Sequence, residues 1–172
     1  ENCVLNGDNN SEVFLSEIIG AQPVKGRHMN MESLYEYGSR AGFWRLYKLF
    51  QEKKIPITVF GVGMALEKNP EVCKAIIDAD YEVASHGWRW IDYQNIKKSE
   101  EKKHMNLAIK SYTKIFGKRP DGWYTGRCSP NTRDLVIEDG GFLYDSDSYS
   151  DDLPYWETRN KKKQLIIPYT LD

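Results

Sequence analysis

The chain has 172 residues, with 24 Lys plus Arg against 25 Asp plus Glu and 40% hydrophobic residues, the balance of an ordinary globular chain and not of a disordered or fibrous one. A net charge of −1 and a pI near 6.4 give no broad positive field, which argues against nucleic acid or an anionic membrane as partner. No apolar run reaches the roughly 18 residues of a membrane span and no charged-then-apolar leader opens the chain, so a cytoplasmic location is expected.

The length suits one domain over residues 1–172, with no repeat, linker or low-complexity tract dividing it. Cys3, Cys73 and Cys128 are odd in number and lack CxxC spacing, which predicts reduced thiols. Ahead of Ser39 the chain, including Asn6-Gly7, Asn9-Asn10 and Arg27-His28-Met29-Asn30, has weak periodicity and reads as an irregular loop with one helical turn at most. From Ser39 to Lys54, Phe43, Leu46, Tyr47 and Phe50 fall at i, i+3, i+4 and i+7, one face of a helix. Ile55 to Val62 is β-branched and nearly all apolar, a strand buried on both faces.

Asn69-Pro70 reads as an N-cap followed by proline in the first helical turn, and Val72, Ile76 and Ala79 continue the stripe. Tyr81 to Ser85 is the next strand. Ser99 opens the clearest helix, because Met105, Ala108, Ile109, Tyr112, Ile115 and Phe116 recur at helical spacing and Gly117 can stop it. Trp123–Thr125 is a short strand, Asn131–Glu138 a short helix closed by Gly140-Gly141, and Phe142–Tyr144 a further strand. Ser146 to Lys163 reads as a long polar and aromatic loop, and Leu165 to Leu171 as the last strand. Helices alternating with buried strands argue for an α/β fold with a parallel sheet, open or closed into a (β/α) barrel.

In such folds the loops after the strands' C-terminal ends share one face. Here those loops read Ser85-His86-Gly87-Trp88-Arg89-Trp90, Gly126-Arg127-Cys128-Ser129-Pro130-Asn131 and Asp145-Ser146-Asp147. Their convergence would bring an imidazole, a guanidinium and two carboxylates to one mouth with Trp and Tyr walls. That makes His86, Asp145 and Asp147 candidate catalytic residues, and Trp88, Trp90, Tyr124 and Arg127 candidate substrate-binding residues.

Each has a plainer reading. His86 can be hydrogen-bonded structure, Arg127 can cap a helix or pair a surface acid, and the two aspartates can stabilise a local turn. Trp88, Trp90, Trp123 and Trp156 can be packing residues. His104 reads as part of a solvated helix face, and His28 is ambiguous. Trp90 stands four residues after His86, where a second histidine would make a metal-binding pair, so no metal ligands and no cofactor are assigned.

Four segments carry a family resemblance. They are Asn30–Gly42 (NMESLYEYGSRAG), Ser85–Tyr93 (SHGWRWIDY), Gly122–Arg127 running through Ser129-Pro130-Asn131-Thr132, and Tyr144–Asp147 running through Asp151-Asp152-Leu153-Pro154. In this order the chain resembles the polysaccharide deacetylase (NodB-homology) superfamily, and more closely its branch of metal-independent allantoinases from purine catabolism.

The resemblance implies a deformed (β/α) barrel, hydrolysis of a non-peptide carbon–nitrogen bond, and a homo-oligomer. It implies a cyclic ureide as substrate, with acid–base catalysis by His86 and a carboxylate, a carbonyl bound by Arg127, and Trp90 as a stacking face. The metal-dependent members carry two histidines four apart where this chain has His86 and Trp90. Against the family pattern, the first acidic strand motif and the C-terminal elements are missing, which implies a middle portion of the domain that a partner chain could complete. The alternatives are a metal-dependent deacetylase of N-acetylated saccharides and a non-catalytic truncated homologue.

Overall fold

The computed structural model describes residues 25–170, which divide after Pro56 into two compact units. The sequence shows no linker at that point.

In the first unit, α1 (Met29–Tyr37) starts at His28, whose imidazole accepts from the Met31 backbone N–H, and an Arg27–Glu32 ion pair of 2.5 Å braces its first turn. A π-helical turn, Gly38–Gly42, continues into α2 (Phe43–Lys53), which Lys54 ends in the left-handed region. The nine-residue α1 corrects the expected irregular loop before Ser39. Its start depends on a histidine cap and an ion pair, and its mixed polar pattern gives little periodicity. Asn6-Gly7, Asn9-Asn10 and Cys3, for which the sequence predicts a loop and a reduced thiol, lie outside the described residues.

The second unit holds a six-stranded sheet. Its strands are β1 (Thr58–Gly61), β2 (Glu82–Ser85), β3 (Gly122–Trp123), β4 (Tyr144–Asp145), β5 (Tyr155–Arg159) and β6 (Lys162–Ile166), in the order β1-β2-β3-β4-β6-β5. All neighbours are parallel except the β5–β6 pair. The helices are α3 (Gly63–Lys68), α4 (Pro70–Asp78), α5 (Lys98–Phe116) and α6 (Thr132–Asp139). Helices alternating with parallel strands in sequential order are the arrangement the (β/α) reading requires.

Most predicted elements lie where the periodicity puts them. Gly117 and Gly140 end α5 and α6 at φ 73° and 72°, left-handed values that a glycine adopts without a Cβ clash. One helix is added and two expectations are corrected. The short α3 follows β1 directly, because six residues are too few to show a helical period. Asn69 does not cap α4 with its side chain, whose amide donates to the Ala65 carbonyl at 2.7 Å. The predicted loop from Ser146 to Lys163 contains the whole of β5, joined to β6 by Asn160-Lys161 with both φ values positive, a two-residue hairpin without the usual glycine.

Met105 of α5, Trp123, Leu135 and Val136 of α6, and Phe142 form a buried cluster, with Ile109 packed on it. The sheet register aligns Gly61, Ser85, Trp123, Asp145 and Ile166 in one row across five strands. The ladder runs one residue beyond that row, through His86 N–H to Gly61 O (2.8 Å), Tyr124 N–H to Ser85 O (2.9 Å), Ser146 N–H to Trp123 O (2.8 Å) and Ile167 N–H to Asp145 O (3.0 Å). The residues after the row therefore leave the sheet side by side. No helix among the described residues is long and apolar enough to cross a membrane.

Candidate active site

His86 is the first residue beyond β2. Its backbone N–H is shared by the Gly61 carbonyl and the Tyr112 hydroxyl, 3.1 Å away. Its Nδ1 lies 2.6 Å from the Tyr124 carbonyl. A carbonyl can only accept, so Nδ1 carries the proton and Nε2 carries the lone pair. Burial lowers the pKa of His86 below its ordinary value, opposed by the Tyr124 carbonyl and the charge of Asp147 and aided by the charge of Arg127. The imidazole is thus neutral at pH 7, with one fixed tautomer.

Tyr124 stacks on His86 at 5.3 Å and on Tyr169 at 4.8 Å, and Phe60 packs against it at 4.8 Å. Its hydroxyl meets that of Tyr149 at 3.1 Å. This gives the imidazole an aromatic wall from β1, β3 and the segment after β6. Beyond Tyr149 and Tyr169 lies an open cavity of about 450 Å³ that also includes Ser150, Asp151, Asp152 and Thr170 in its lining.

Arg127 lies with its guanidinium 4.4 Å from the centroid of the Trp90 ring, a cation–π contact. Its carbonyl accepts from the Tyr93 N–H at 3.0 Å, which ties the loops after β2 and β3 together. Trp88 faces the start of α3. A Cβ on Gly63 would fall 2.8 Å from its ring, and Met64 N–H donates to its carbonyl.

The sequence makes Asp145 and Asp147 candidate catalytic residues, and in the structure both carboxylates already have protein partners. The Asp147 carboxylate accepts from Thr125 N–H, Gly126 N–H and the Thr125 hydroxyl at 2.8–3.0 Å. Asp145 is 0% exposed. Its Oδ1 accepts from Asp147 N–H at 2.8 Å, and its Oδ2 lies 2.8 Å from Nε of Arg133. The Nε–Oδ2 approach lacks hydrogen-bond alignment and acts through charge. Burial pushes the Asp145 carboxyl up to about 7, outweighing the lowering effect of Arg133.

Two further groups brace the mouth, and neither has a motif that marks it. Glu101 of α5, 3% exposed, accepts from the hydroxyls of Ser129 (2.6 Å) and Thr132. Arg133 of α6 reaches Asp145, the Asp147 carbonyl and Glu157. The one hint in the sequence is an acid on the predicted inner stripe of a helix, four residues before Met105. His104 is also corrected. Its side chain is 12% exposed, with Nδ1 3.0 Å from the Tyr93 hydroxyl and Nε2 3.5 Å from Glu100, and burial lowers its pKa.

Comparison with known proteins bears on this arrangement. The pattern that defines the Polysaccharide deacetylase family matches residues 28–138. The chain belongs to the polysaccharide deacetylase family. Over its whole length it is 59% identical to a probable polysaccharide deacetylase from Pseudomonas aeruginosa PAO1 of known crystal structure, with a TM-score of 0.94 and 58% of that chain covered. The crystal structure of PuuE allantoinase is 56% identical over the whole chain, also with a TM-score of 0.94 and 58% of that chain covered.

A Schizosaccharomyces pombe protein with a provisional polysaccharide deacetylase name is 40% identical over 100% of this chain and 59% of its own length. This chain therefore spans somewhat under three-fifths of these relatives. The likeness confirms the NodB-type (β/α) barrel architecture, of which the sheet described above is the corresponding part.

The resemblance implies a histidine pair in metal-dependent members where this chain has His86 and Trp90. Trp90 offers no ligand atom, and its ring is taken up with Arg127. Among the described residues no three His, Cys, Asp or Glu side chains come together as a metal cage. Among the described residues, those at this position do not supply such a pair.

Proposed function

We propose that this chain forms part of a hydrolase that opens a cyclic ureide by water attack on an amide carbonyl, with His86 as the proton-transfer group. The observation that supports this reading is the neutral imidazole, held by Nδ1–H to the Tyr124 carbonyl at 2.6 Å. With Nδ1 committed, Nε2 takes a proton from the attacking water. The water oxygen bonds to the carbonyl carbon, the ring C–N bond breaks, and the proton held at Nε2 passes to the departing nitrogen. Asp145 and Asp147 serve as positioning residues, because one is buried and the other is occupied by backbone donors. Arg127 binds a carbonyl or ureido oxygen through its planar fork, and Trp88, Trp90 and Tyr124 border the substrate.

The test measures hydrolysis of allantoin and of simple hydantoins by the wild-type protein and by His86→Gln. Loss of about 10² to 10⁴ in kcat/KM is expected for the variant, and undiminished activity removes His86 from the reaction. A second reading, deacetylation of an N-acetylated saccharide, draws on the names of the Pseudomonas and Schizosaccharomyces relatives. Turnover of acetylated chito-oligosaccharides that a chelator abolishes and zinc restores would select it. A folded chain that hydrolyses neither class would make it a non-catalytic homologue. A homo-oligomer or a partner chain that meets the edge strands β1 and β5 is part of the same proposal, and sedimentation of the pure chain tests it.

A further inference from the structure

The geometry points to Arg133 as a positioning residue for His86, acting through a relay of fixed contacts. This inference rests on the proposed role of His86, and its test does not require turnover. Arg133 projects from the first turn of α6, 14% exposed, and each guanidinium nitrogen faces a different segment. Nε meets Asp145 at the end of β4 at 2.8 Å. One terminal nitrogen donates to the Asp147 carbonyl at 2.8 Å. The other donates to Glu157 on β5 at 2.9 Å.

The relay continues inward from Asp147. Its N–H is held by Asp145 and its carbonyl by Arg133, so both sides of the residue are fixed. Its carboxylate in turn fixes the N–H groups of Thr125 and Gly126. Those two residues immediately follow Tyr124, whose carbonyl holds Nδ1–H of His86. The orientation of one carbonyl, and with it the tautomer of the imidazole, is set from α6. A lysine cannot replace the fork, since a single ammonium on a flexible stem does not reproduce two hydrogen bonds and an ion pair lying in different directions.

The experiment records long-range ¹H–¹⁵N spectra of the histidine side chains in the labelled chain, for wild type, Arg133→Lys, Arg133→Met and Glu157→Gln. Wild type is expected to show His86 with a protonated Nδ1 and a bare Nε2. In Arg133→Lys and Arg133→Met, His86 becomes a mixture of tautomers, and its Nδ1 proton exchanges with water at least ten times faster. Glu157→Gln, which touches only the outer nitrogen of the fork, leaves the signal unchanged.

An unaltered His86 signal in both folded Arg133 variants overturns the inference. So does an equal change in Glu157→Gln, or a wild-type proton on Nε2. Failure of both Arg133 variants to fold gives the residue a purely structural role and also overturns it. A wild-type chain with the expected tautomer and no turnover overturns the proposed reaction and leaves these spectra to decide on Arg133.

Discussion

The ends of β2 and β4 resemble each other in sequence, each placing titratable residues at or just beyond the last residue of a short strand. In the fold they hold their groups in opposite states. After β2, His86 is tied at one ring nitrogen and presents the other. At the end of β4, Asp145 is sealed from solvent, and two residues on, Asp147 is filled with donors. The difference follows from side-chain alternation. Asp145 lies in the buried sheet row with Ser85 and Trp123, whereas His86 lies one residue past it. A one-residue step relative to the row thus separates the imidazole from the carboxylates that hold backbone.

The largest effect that can break this contrast concerns Asp145. An ordinary aspartate ionises near 3.8 and this one near 7, so between those values the unfolded chain gives up a proton that the folded chain keeps. Stability attributable to this group is therefore fully present below pH 3.8 and is lost as the pH rises through 7, and at 1.36 kcal/mol per unit the loss between pH 4 and pH 7 is about 3 kcal/mol. In Asp145→Asn that component is missing. The stability difference between variant and wild type, read from urea titrations at pH 4, 5.5 and 7, should change by about this amount across the window. A constant difference would mean that Asp145 titrates normally and that burial does not govern it.

Asp147→Asn comes next. The amide keeps one acceptor oxygen but turns an NH₂ toward donors that now meet no lone pair, so a loss of about 2 to 3 kcal/mol is expected from thermal or urea unfolding at pH 7. A near-neutral result would show that water can replace these contacts and that the turn after β4 is no more rigid than the turn after β2. Arg127→Met, in the half-buried loop after β3 that packs on Trp90 of the turn after β2, should cost only about 1 kcal/mol of stability through that contact. Its larger effect should be a raised KM for the ureide, measured under the same assay conditions.

The sequence made the strand ends legible because the fold repeats the same local event. A short apolar run ends, and polar residues follow. That pattern located His86, Arg127 and the two aspartates without any coordinates. What it could not show was which residue of each turn belongs to the buried row, since β3 and β4 are two residues long and leave no alternation to count. Glu101 and Arg133 escaped for a related reason. Their partners lie 28 and 31 residues away for Glu101, and 12, 14 and 24 away for Arg133, and a charged residue on a helix ordinarily reads as solvated. The hairpin of β5 and β6 was hidden by Asn160-Lys161, which adopts a turn usually signalled by glycine.

The smallest effect is expected at Trp156, and it sharpens the same lesson about position. Trp123 and Trp156 both lie on short strands and both invite the reading of packing residues. Trp123 is 2% exposed in the cluster with Phe142, whereas Trp156 lies on the edge strand β5 at 65% exposure. Removing a buried Trp leaves a cavity that costs about 3 to 5 kcal/mol, but an exposed ring that already faces water has little transfer energy to lose. Trp156→Thr also keeps a residue suited to a strand, so stability should stay within about 0.5 kcal/mol of wild type. A loss of several kcal/mol in urea unfolding at pH 7 would mean that β5 is covered in solution, and that its outer face belongs with the buried side of the molecule.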